Sequence, residues 1–428
     1  MQNNIAFLYQ KYLECRQVST DSRAEQNDSL FFALNGPNFK GAKFAQMALE
    51  RGAKYAVVDD PSMASDNVLV VEDTLQALQD LARHHRRQLS IPVIGITGSN
   101  GKTTTKELIH AVLSQKYNTL YTQGNLNNHI GVPLTLLRVR PEHEMAIIEM
   151  GANHIGEIAL LCSIAQPTHG LITNIGKAHL EGFGSLEGVA RGKSELYLYL
   201  AEHGGTVFVN TGNEHLLRMS RRIENKITYP APGNYYHSEL LEASPYVVYQ
   251  DEEKNEVRTQ LVGSYNYENM AAAATIGKFF GVPLAKANAA IADYSPVNNR
   301  SQVLQKGSNT IILDAYNANP TSMAAAVRNF GSMNAPHKVV ILGDMFELGA
   351  ESEAEHRALG QVVAEQTFGK VLLCGKDMQH AAAVSEAFLY FATKQELTQW
   401  LQEHPVQQSY VLVKGSRGMG LETVVELL

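Results

Sequence analysis

The stretch "ITGSNGKTTTKE", from Ile96 to Glu107, decides the fold of the chain. It contains the Gly-Lys-Thr of a P-loop, but Ile96 holds the place of the glycine that usually lies five residues before the glycine of that triplet. The apolar run "IPVIGIT" predicts a buried strand, and "KTTTKELIHAVLSQKY" has the spacing of a helix. A glycine-rich turn between a strand and a helix is the context that a phosphate-binding loop requires, so we favour that interpretation over a chance turn.

The turn carries groups that suit nucleotide phosphates and a metal ion. Its backbone amides can converge on phosphate oxygens at a helix N-terminus, where Lys102 adds a positive charge. Thr103 or Thr104 is placed to bind a magnesium ion that bridges the phosphates. The predicted cofactor-binding residues of the loop are Gly98, Ser99, Asn100, Gly101, Lys102, Thr103 and Thr104.

Length and composition narrow the class of protein. A chain of 428 residues with 44% hydrophobic content suggests two or three globular domains. Its net charge of −7, without a block of basic residues, argues against a nucleic-acid partner. The start of the chain lacks the pattern of a secretory signal, and apolar runs are too short to span a membrane. We therefore expect a cytoplasmic protein, which we also predict to be monomeric.

The pattern of apolar runs divides the chain into three predicted α/β domains. Residues 1–88 form a small α/β domain, with strands at "SLFFAL" and "YAVV". Residues 89–296 form a central ATP-binding domain, whose repeated strand and helix pattern predicts a parallel sheet covered on both faces. Residues 297–428 repeat the alternation as a Rossmann-like domain, without the Gly-x-Gly-x-x-Gly turn that a dinucleotide requires.

Five further side chains and one segment carry chemistry only in combination. Glu149, in "IIEMGANH", lies at the end of a predicted strand and suits a hard cation, or else it caps the following helix. His179 follows a strand, where a histidine is ordinarily a polar group with its hydrogen bonds satisfied. Lys193 lies on a helix, where a lysine ordinarily belongs to the solvated face. Asn266 and Asn269 share one face of a helix and can contact a base edge or simply begin that helix. The segment "DAYNANP" by itself is typical of a turn.

Taken together, these motifs resemble the Mur ligase family of ATP-dependent amide-bond-forming enzymes. The resemblance covers nearly the whole chain and includes "TGSNGKTTTKE", "YTQGNLNNHIGVPLTLL", "EMGANHIGEI", "AHLEGFGSLEGVARGKSEL", "DAYNANPTSM" and "LGDMFELG". The set is most similar to the member that adds D-alanyl-D-alanine to UDP-N-acetylmuramoyl-tripeptide during peptidoglycan synthesis. The resemblance implies that ATP first phosphorylates the tripeptide carboxylate, and that the dipeptide amine then attacks the acyl phosphate.

The resemblance also implies roles for individual residues. Lys102 would hold the phosphates, Thr103 and Glu149 the first magnesium ion, and His179 the second. Lys193 falls where the family has a carbamylated lysine, whose added carbon dioxide makes it an anionic metal ligand. The remaining implied contacts are Asn266 and Asn269 with adenine, Arg300 and Asp314 with ATP, and Ser22, Arg23, Asn127 and Asn128 with the UDP-sugar peptide. Asn27, Ala42 and Tyr265 depart from residues common in the family, and we leave them outside the predicted sites.

Two other functions remain open at this point. A sister ligase, such as the third-residue-adding enzyme or a folylpolyglutamate synthase, would share the loop, His179 and Lys193. The third-residue-adding enzyme would carry an "NPR" type of motif where this chain has "DAYNANPTSM". A P-loop switch ATPase is the alternative from a different class, and its ATP turnover would be indifferent to the peptide substrates.

Overall fold

The computed structural model describes residues 5–428, which fold into an α/β protein with parallel sheets, as predicted. Its N-terminal part is a four-stranded parallel sheet in the order β1-β2-β3-β4. Asp73 caps the last helix of this part by accepting a hydrogen bond from Gln76 N, and the last turn of that helix carries basic residues, including Arg86 and Arg87. The elements are α1 Ile5–Leu13, β1 Gln17–Ser19, β2 Ser29–Phe32, α2 Ala45–Glu50, β3 Tyr55–Val58, β4 Val68–Val70 and α3 Thr74–Arg87.

The central sheet has six parallel strands in the order β10-β9-β8-β5-β7-β6, with helices on both faces. Its first half contains β5 Val93–Thr97, α4 Lys102–Leu113, β6 Thr119–Tyr121, α5 Gly131–Leu136, β7 Met145–Glu149 and α6 Glu157–Ala165. Its second half contains β8 His169–Ile172, α7 Leu180–Phe183, α8 Leu186–Glu202, β9 Thr206–Asn210, α9 Glu214–Met219 and β10 Lys226–Tyr229.

Alternate residues of the central strands enter two different cores. Ile96 and Ile147 pack with Leu108 of α4, whereas Ile148 on the other face packs with Leu200 of α8. Burial on both faces explains why these strands are continuous apolar runs in the sequence. The carboxyl ends of the adjacent strands β5 and β7 lie side by side, which is where open α/β sheets bind ligands.

An antiparallel three-stranded sheet follows the central sheet and is absent from the sequence-based prediction. It consists of β11 Glu239–Ala243, β12 Tyr246–Gln250 and β13 Glu256–Val262. Two helices complete this part, α10 Tyr265–Phe279 and α11 Leu284–Asp293. Buried residues of α10 and of this sheet share one core with α4, so the added sheet supports the helix that follows the phosphate-binding loop.

The C-terminal sheet has six strands in the order β14-β15-β19-β16-β17-β18, of which β14 runs antiparallel to its neighbour and the others are parallel. Its first elements are β14 Gln302–Lys306, β15 Asn309–Asp314, α12 Pro320–Ser332, β16 Lys338–Gly343 and α13 Ser352–Ala364. It continues with β17 Lys370–Cys374, α14 Gln379–Ala382, β18 Leu389–Phe391, α15 Lys394–Glu403 and β19 Tyr410–Lys414. Across residues 5–428, no helix combines the length and the apolar character needed to span a bilayer.

Candidate active site

The phosphate-binding loop joins β5 to α4 and depends on two glycines. Gly98 has a φ of 140° and Gly101 a φ of 77°, values that residues with a side chain rarely adopt. A Cβ atom at Gly98 would also lie 2.0 Å from Thr173 Oγ1. Thr173 Oγ1 donates a hydrogen bond to the Asn100 carbonyl at 2.5 Å, and Asn174 Oδ1 accepts one from Asn100 N at 3.0 Å. Residues that follow β8 therefore fix the shape of the loop.

Lys102 begins α4 and reaches back over this loop. Its ammonium group donates hydrogen bonds to the carbonyl oxygens of Gly98, at 2.7 Å, and of Ser99, at 3.3 Å. Burial lowers the pKa of Lys102, and the nearby Glu149 carboxylate opposes that effect. The side chain thus lies where a phosphate group in the loop would need a counter-charge.

Glu149, at the end of β7, lies beside the first turn of α4. Its side chain is 2% exposed. One oxygen accepts a hydrogen bond from Thr103 Oγ1 at 3.0 Å and the other accepts one from Asn127 Nδ2 at 2.8 Å. Burial raises the pKa of Glu149, but the positive charges of Lys106, Lys102 and Arg300 have a larger, opposite effect. The pKa of Glu149 is therefore lowered, and the carboxylate stays ionised. Because α6 begins eight residues later, Glu149 is not the cap of that helix.

This pair of oxygen ligands fits a divalent cation. The Thr103 hydroxyl and the Glu149 carboxylate both line the pocket at the edge of the loop, and magnesium prefers such hard oxygen donors. Within residues 5–428, no group of three or more His, Cys, Asp and Glu side chains could hold a metal ion alone. A magnesium ion at this place would therefore need water and phosphate oxygens to complete its coordination.

Lys193 lies on α8 and is buried rather than solvated. Its side chain is 1% exposed, its ammonium nitrogen donates a hydrogen bond to the Ala152 carbonyl at 3.0 Å, and the Phe183 ring centroid is 5.1 Å away. Burial holds the pKa of Lys193 well below its usual range. The ordinary alternative of a solvated lysine is therefore wrong. The neighbouring Glu195 caps α6 instead, accepting hydrogen bonds from the backbone there.

His179 lies at the start of α7 and faces the C-terminal half of the molecule. Its backbone is left-handed, with a φ of 52°, and its side chain lines the same pocket as the loop. The imidazole Nδ1 is hydrogen-bonded to the Glu347 carboxylate, which follows β16. This bond lowers the pKa of Glu347. His179 therefore connects the central and C-terminal parts, while its metal-binding role stays a prediction.

Asn266 and Asn269 lie on the first turns of α10, both buried and both lining the pocket. Asn269 Nδ2 donates a hydrogen bond to Asn266 Oδ1 at 2.9 Å, and Asn269 Oδ1 accepts one from Thr105 Oγ1 of α4 at 3.0 Å. The two amides thus share one helical face, as predicted, and Asn269 also supports the phosphate-binding helix. Tyr265, which lies outside the predicted sites, lines this pocket as well.

Arg300 and Asp314 reach the pocket from the C-terminal part. The Arg300 guanidinium carbon lies 3.7 Å from the Tyr316 ring centroid. Asp314, at the end of β15, accepts a hydrogen bond from Lys414 Nζ at 2.5 Å and another from Ser301 N at 3.3 Å. Both predicted residues are therefore held in defined positions opposite the loop.

The motif "DAYNANP" contributes a residue that the sequence analysis missed. Asn319 caps α12 by accepting a hydrogen bond from Ser322 N at 2.9 Å, so part of the motif is the predicted turn. Its amide nitrogen also donates a hydrogen bond to Asn100 Oδ1 at 2.7 Å. Asn319 thereby joins the C-terminal part directly to the phosphate-binding loop.

The predicted substrate residues fall into two places. Asn127 and Asn128 line the pocket, although Asn128 Oδ1 also accepts hydrogen bonds from two backbone amides at the start of α5. Arg23 lies on the surface of the N-terminal part and pairs with Asp21 at 2.9 Å. The neighbouring Ser22 is partly exposed. Both residues of that segment lie outside the pocket lining.

The pocket between the central and C-terminal sheets has a volume of about 720 Å³. Its lining includes the predicted site residues, with the exception of Ser22, Arg23, Gly98 and Lys193. Lys193 lies behind Ala152, which does line the pocket. A phosphate-binding loop, a carboxylate and residues from a second sheet thus meet around one space.

This fold and site define a nucleotide-dependent enzyme of the P-loop class. The sequence matches three domain descriptions: the Mur ligase family catalytic domain over residues 14–86, the Mur ligase middle domain over residues 96–277, and the Mur ligase glutamate ligase domain over residues 299–417. The chain belongs to the Mur ligase family. This confirms the family resemblance and the three-domain α/β fold.

Individual relatives match over nearly their full length. The UDP-N-acetylmuramoyl-tripeptide--D-alanyl-D-alanine ligase of Escherichia coli (strain K12) is 38% identical over 422 residues, covering 96% of this chain and 93% of the relative. A crystal structure of MurF from Acinetobacter baumannii superposes with a TM-score of 0.87 at 34% identity, covering 96% and 93% of the two chains. The MurF ligase from Thermotoga maritima, solved in complex with ADP, gives a TM-score of 0.83 at 26% identity and covers 97% of each chain.

Proposed function

We propose that this chain is an ATP-dependent ligase that joins D-alanyl-D-alanine to UDP-N-acetylmuramoyl-tripeptide and so forms the UDP-MurNAc-pentapeptide precursor of peptidoglycan. The observation that carries the proposal is the pocket in which the phosphate-binding loop and Glu149 face Arg300 and Asp314. The similarity to a ligase of that name over 96% of the chain supports the same substrates.

The reaction needs an activated carboxylate. A carboxylate oxygen of the tripeptide attacks the γ-phosphorus of ATP, the bond to the bridging oxygen breaks, and ADP leaves. The dipeptide amine then attacks the carbonyl carbon of the acyl phosphate, loses a proton, and releases inorganic phosphate. The loop amides and Lys102 bind the phosphates and compensate the charge that develops on the transferred group.

Thr103 and Glu149 would hold a magnesium ion, since their oxygens fit its preferred ligands. When bound, that ion neutralises phosphate charge during transfer. We assign His179 to a second metal ion. We further propose that Lys193 is carbamylated, because a buried amine with a lowered pKa is a nucleophile toward carbon dioxide.

The remaining assignments follow the same model of substrate binding. Asn266 and Asn269 bind adenine, Arg300 and Asp314 contact ATP, and the UDP-sugar peptide extends toward Ser22, Arg23, Asn127 and Asn128. The domain limits that we propose are 88/89 and 296/297, which fall after α3 and in the segment between α11 and β14. The enzyme acts as a cytoplasmic monomer on small-molecule substrates, without nucleic acid.

Product mass is the direct test of this function. The purified chain is incubated with ATP, magnesium, D-alanyl-D-alanine and a UDP-tripeptide that ends in either diaminopimelate or lysine. We expect ADP, phosphate and a product heavier by one dipeptide less one water. Addition of a single amino acid to a shorter precursor, or of glutamate to a folate, would assign the chain to a sister ligase. ATP turnover that ignores all these acceptors would indicate a switch ATPase.

A further inference from the structure

Lys106 is a buried cation that the proposed reaction leaves without a role. It lies on α4 one turn after Lys102, and its side chain is 0% exposed. Its ammonium nitrogen is 3.5 Å from a Glu149 oxygen and 3.9 Å from a Glu107 oxygen. Within the part of the chain that the structure describes, this nitrogen has no hydrogen-bond partner. A buried ammonium without hydrogen bonds is costly, so the Glu149 carboxylate, together with the Tyr121 ring whose centroid lies 5.6 Å away, has to explain its presence.

Lys106 lies next to the pocket but outside its lining. Lys102, Thr103 and Glu149 line the pocket, and Lys106 approaches the same Glu149 oxygen that accepts the hydrogen bond from Thr103. Thr103 and Asn127 contact that carboxylate through neutral groups. Lys106 therefore supplies the nearest positive charge to Glu149.

We propose that Lys106 is a positioning residue that balances the charge of Glu149 when no metal is bound, so that the site accepts a divalent cation together with a nucleotide and binds it poorly alone. The inference rests on the proposed role of Glu149 as a magnesium ligand. Affinity for a hard cation rises with the negative charge of its ligands. With Lys106 behind it, Glu149 contributes little net negative charge, and the triphosphate has to supply the remainder.

Manganese binding to the nucleotide-free full-length protein tests this inference, with Mn²⁺ as the paramagnetic probe in place of Mg²⁺. Titration followed by electron paramagnetic resonance should show that Lys106→Met binds free Mn²⁺ about tenfold or more tightly than the unmodified protein. Lys106→Arg should match the unmodified protein, since it keeps the charge. Lys286→Met removes an exposed lysine of α11 and should have no effect.

Three outcomes would overturn the inference. The first is equal Mn²⁺ affinity in Lys106→Met and the unmodified protein. The second is a tight site in Lys106→Met that survives the additional change Glu149→Gln. The third is a gain in Mn²⁺ affinity of Lys106→Met over the unmodified protein that is as large with ADP as without it. With ADP bound, the charge of the nucleotide should dominate the site and reduce that gain. These measurements use no peptide substrate, so a different ligation product would refute the proposed function without affecting them.

Thermal unfolding keeps the inference testable if Lys106→Met folds poorly. Each single change, Lys106→Met or Glu149→Gln, leaves one member of the pair without its partner and should lower the melting temperature. The double variant removes both charges and should be more stable than the sum of the single effects predicts. Strictly additive losses would show that the two side chains do not compensate each other.

Discussion

Tyr294→Phe should loosen the connection between the phosphate-binding helix and the C-terminal part. The segment between α11 and β14 is hydrogen-bonded to Glu107 of α4. Tyr294 Oη donates a hydrogen bond to Glu107 Oε2 at 2.5 Å, and Asn298 Nδ2 donates to both oxygens of that carboxylate, at 3.1 and 3.2 Å. A hydrogen bond to a charged group contributes about 1.5–3 kcal/mol. The Glu107 side chain is 23% exposed, so water can replace part of the lost bond, and we expect the lower end, about 1.5 kcal/mol.

Hydrogen exchange of the segment 294–301 measures this loss directly. A local opening that is easier by about 1.5 kcal/mol exchanges its amides about tenfold faster. Because Arg300 belongs to the same segment, KM for ATP should rise, by up to about tenfold, with a smaller change in kcat. Tyr246→Phe, which alters an exposed tyrosine of β12, is the matched control. Equal exchange rates in the two variants would refute the argument that the Tyr294 hydroxyl holds the segment in place.

Four further predictions concern the reaction and the stability of the fold. Lys102→Ala should lower kcat by orders of magnitude in a coupled ADP-release assay while the circular dichroism spectrum stays unchanged, and near-normal turnover would contradict the phosphate-binding role. Lys193→Ala should abolish most acyl-phosphate formation, and excess acetate, but not an amine, should restore part of the rate if the missing group is an anionic carbamate. Bound nucleotide and substrate should draw the central and C-terminal parts together and so reduce the radius of gyration measured by small-angle scattering, and an unchanged radius would count against this closure. Burial lowers the pKa of His85 to about 4, below its ordinary value near 6.5, so the folded state favours the neutral imidazole. The contribution of this neutral imidazole to stability is complete above pH 6.5 and is lost as the pH falls toward 4, by up to about 3 kcal/mol. His85→Gln should therefore flatten the pH dependence of the melting temperature in that range.

The sequence predicts the parallel sheets well because their strands are continuous apolar runs. Both faces of β5 and β7 are buried, and each run leads into a glycine-containing turn and a helix. The antiparallel sheet after β10 escaped prediction because its strands are partly exposed and are therefore not continuous apolar runs. In β13 every second residue from Val257 to Leu261 is buried, and this alternation is the signal that could have revealed the strand.

The candidate site was predictable where its residues lie close together in the sequence. The loop, with Lys102 and Thr103, is one contiguous motif. Asn319 meets Asn100 across more than two hundred residues, and the turn chemistry of its own segment gives no indication of that contact. Lys106 is different, since a residue four positions after Lys102 must lie on the same face of the helix. Helical spacing alone could therefore have predicted that Lys106 lies close to Lys102 and to the residues around it.

Asn100 connects phosphate binding to the arrangement of the two sheets. Its backbone belongs to the phosphate-binding loop, and its side chain accepts the hydrogen bond from Asn319 at the start of α12. Polar contacts also cross this boundary elsewhere, as in the ion pair of Lys177 with Glu355 at 2.5 Å. Contacts of this kind contribute about 1 kcal/mol each, whereas shifting a two-state equilibrium almost completely takes about 5.5 kcal/mol. A phosphate group that orders the loop at Asn100 and contacts Arg300 from the other side can supply the remaining free energy that closure requires. We infer that occupancy of the loop and closure of the pocket are coupled through Asn100.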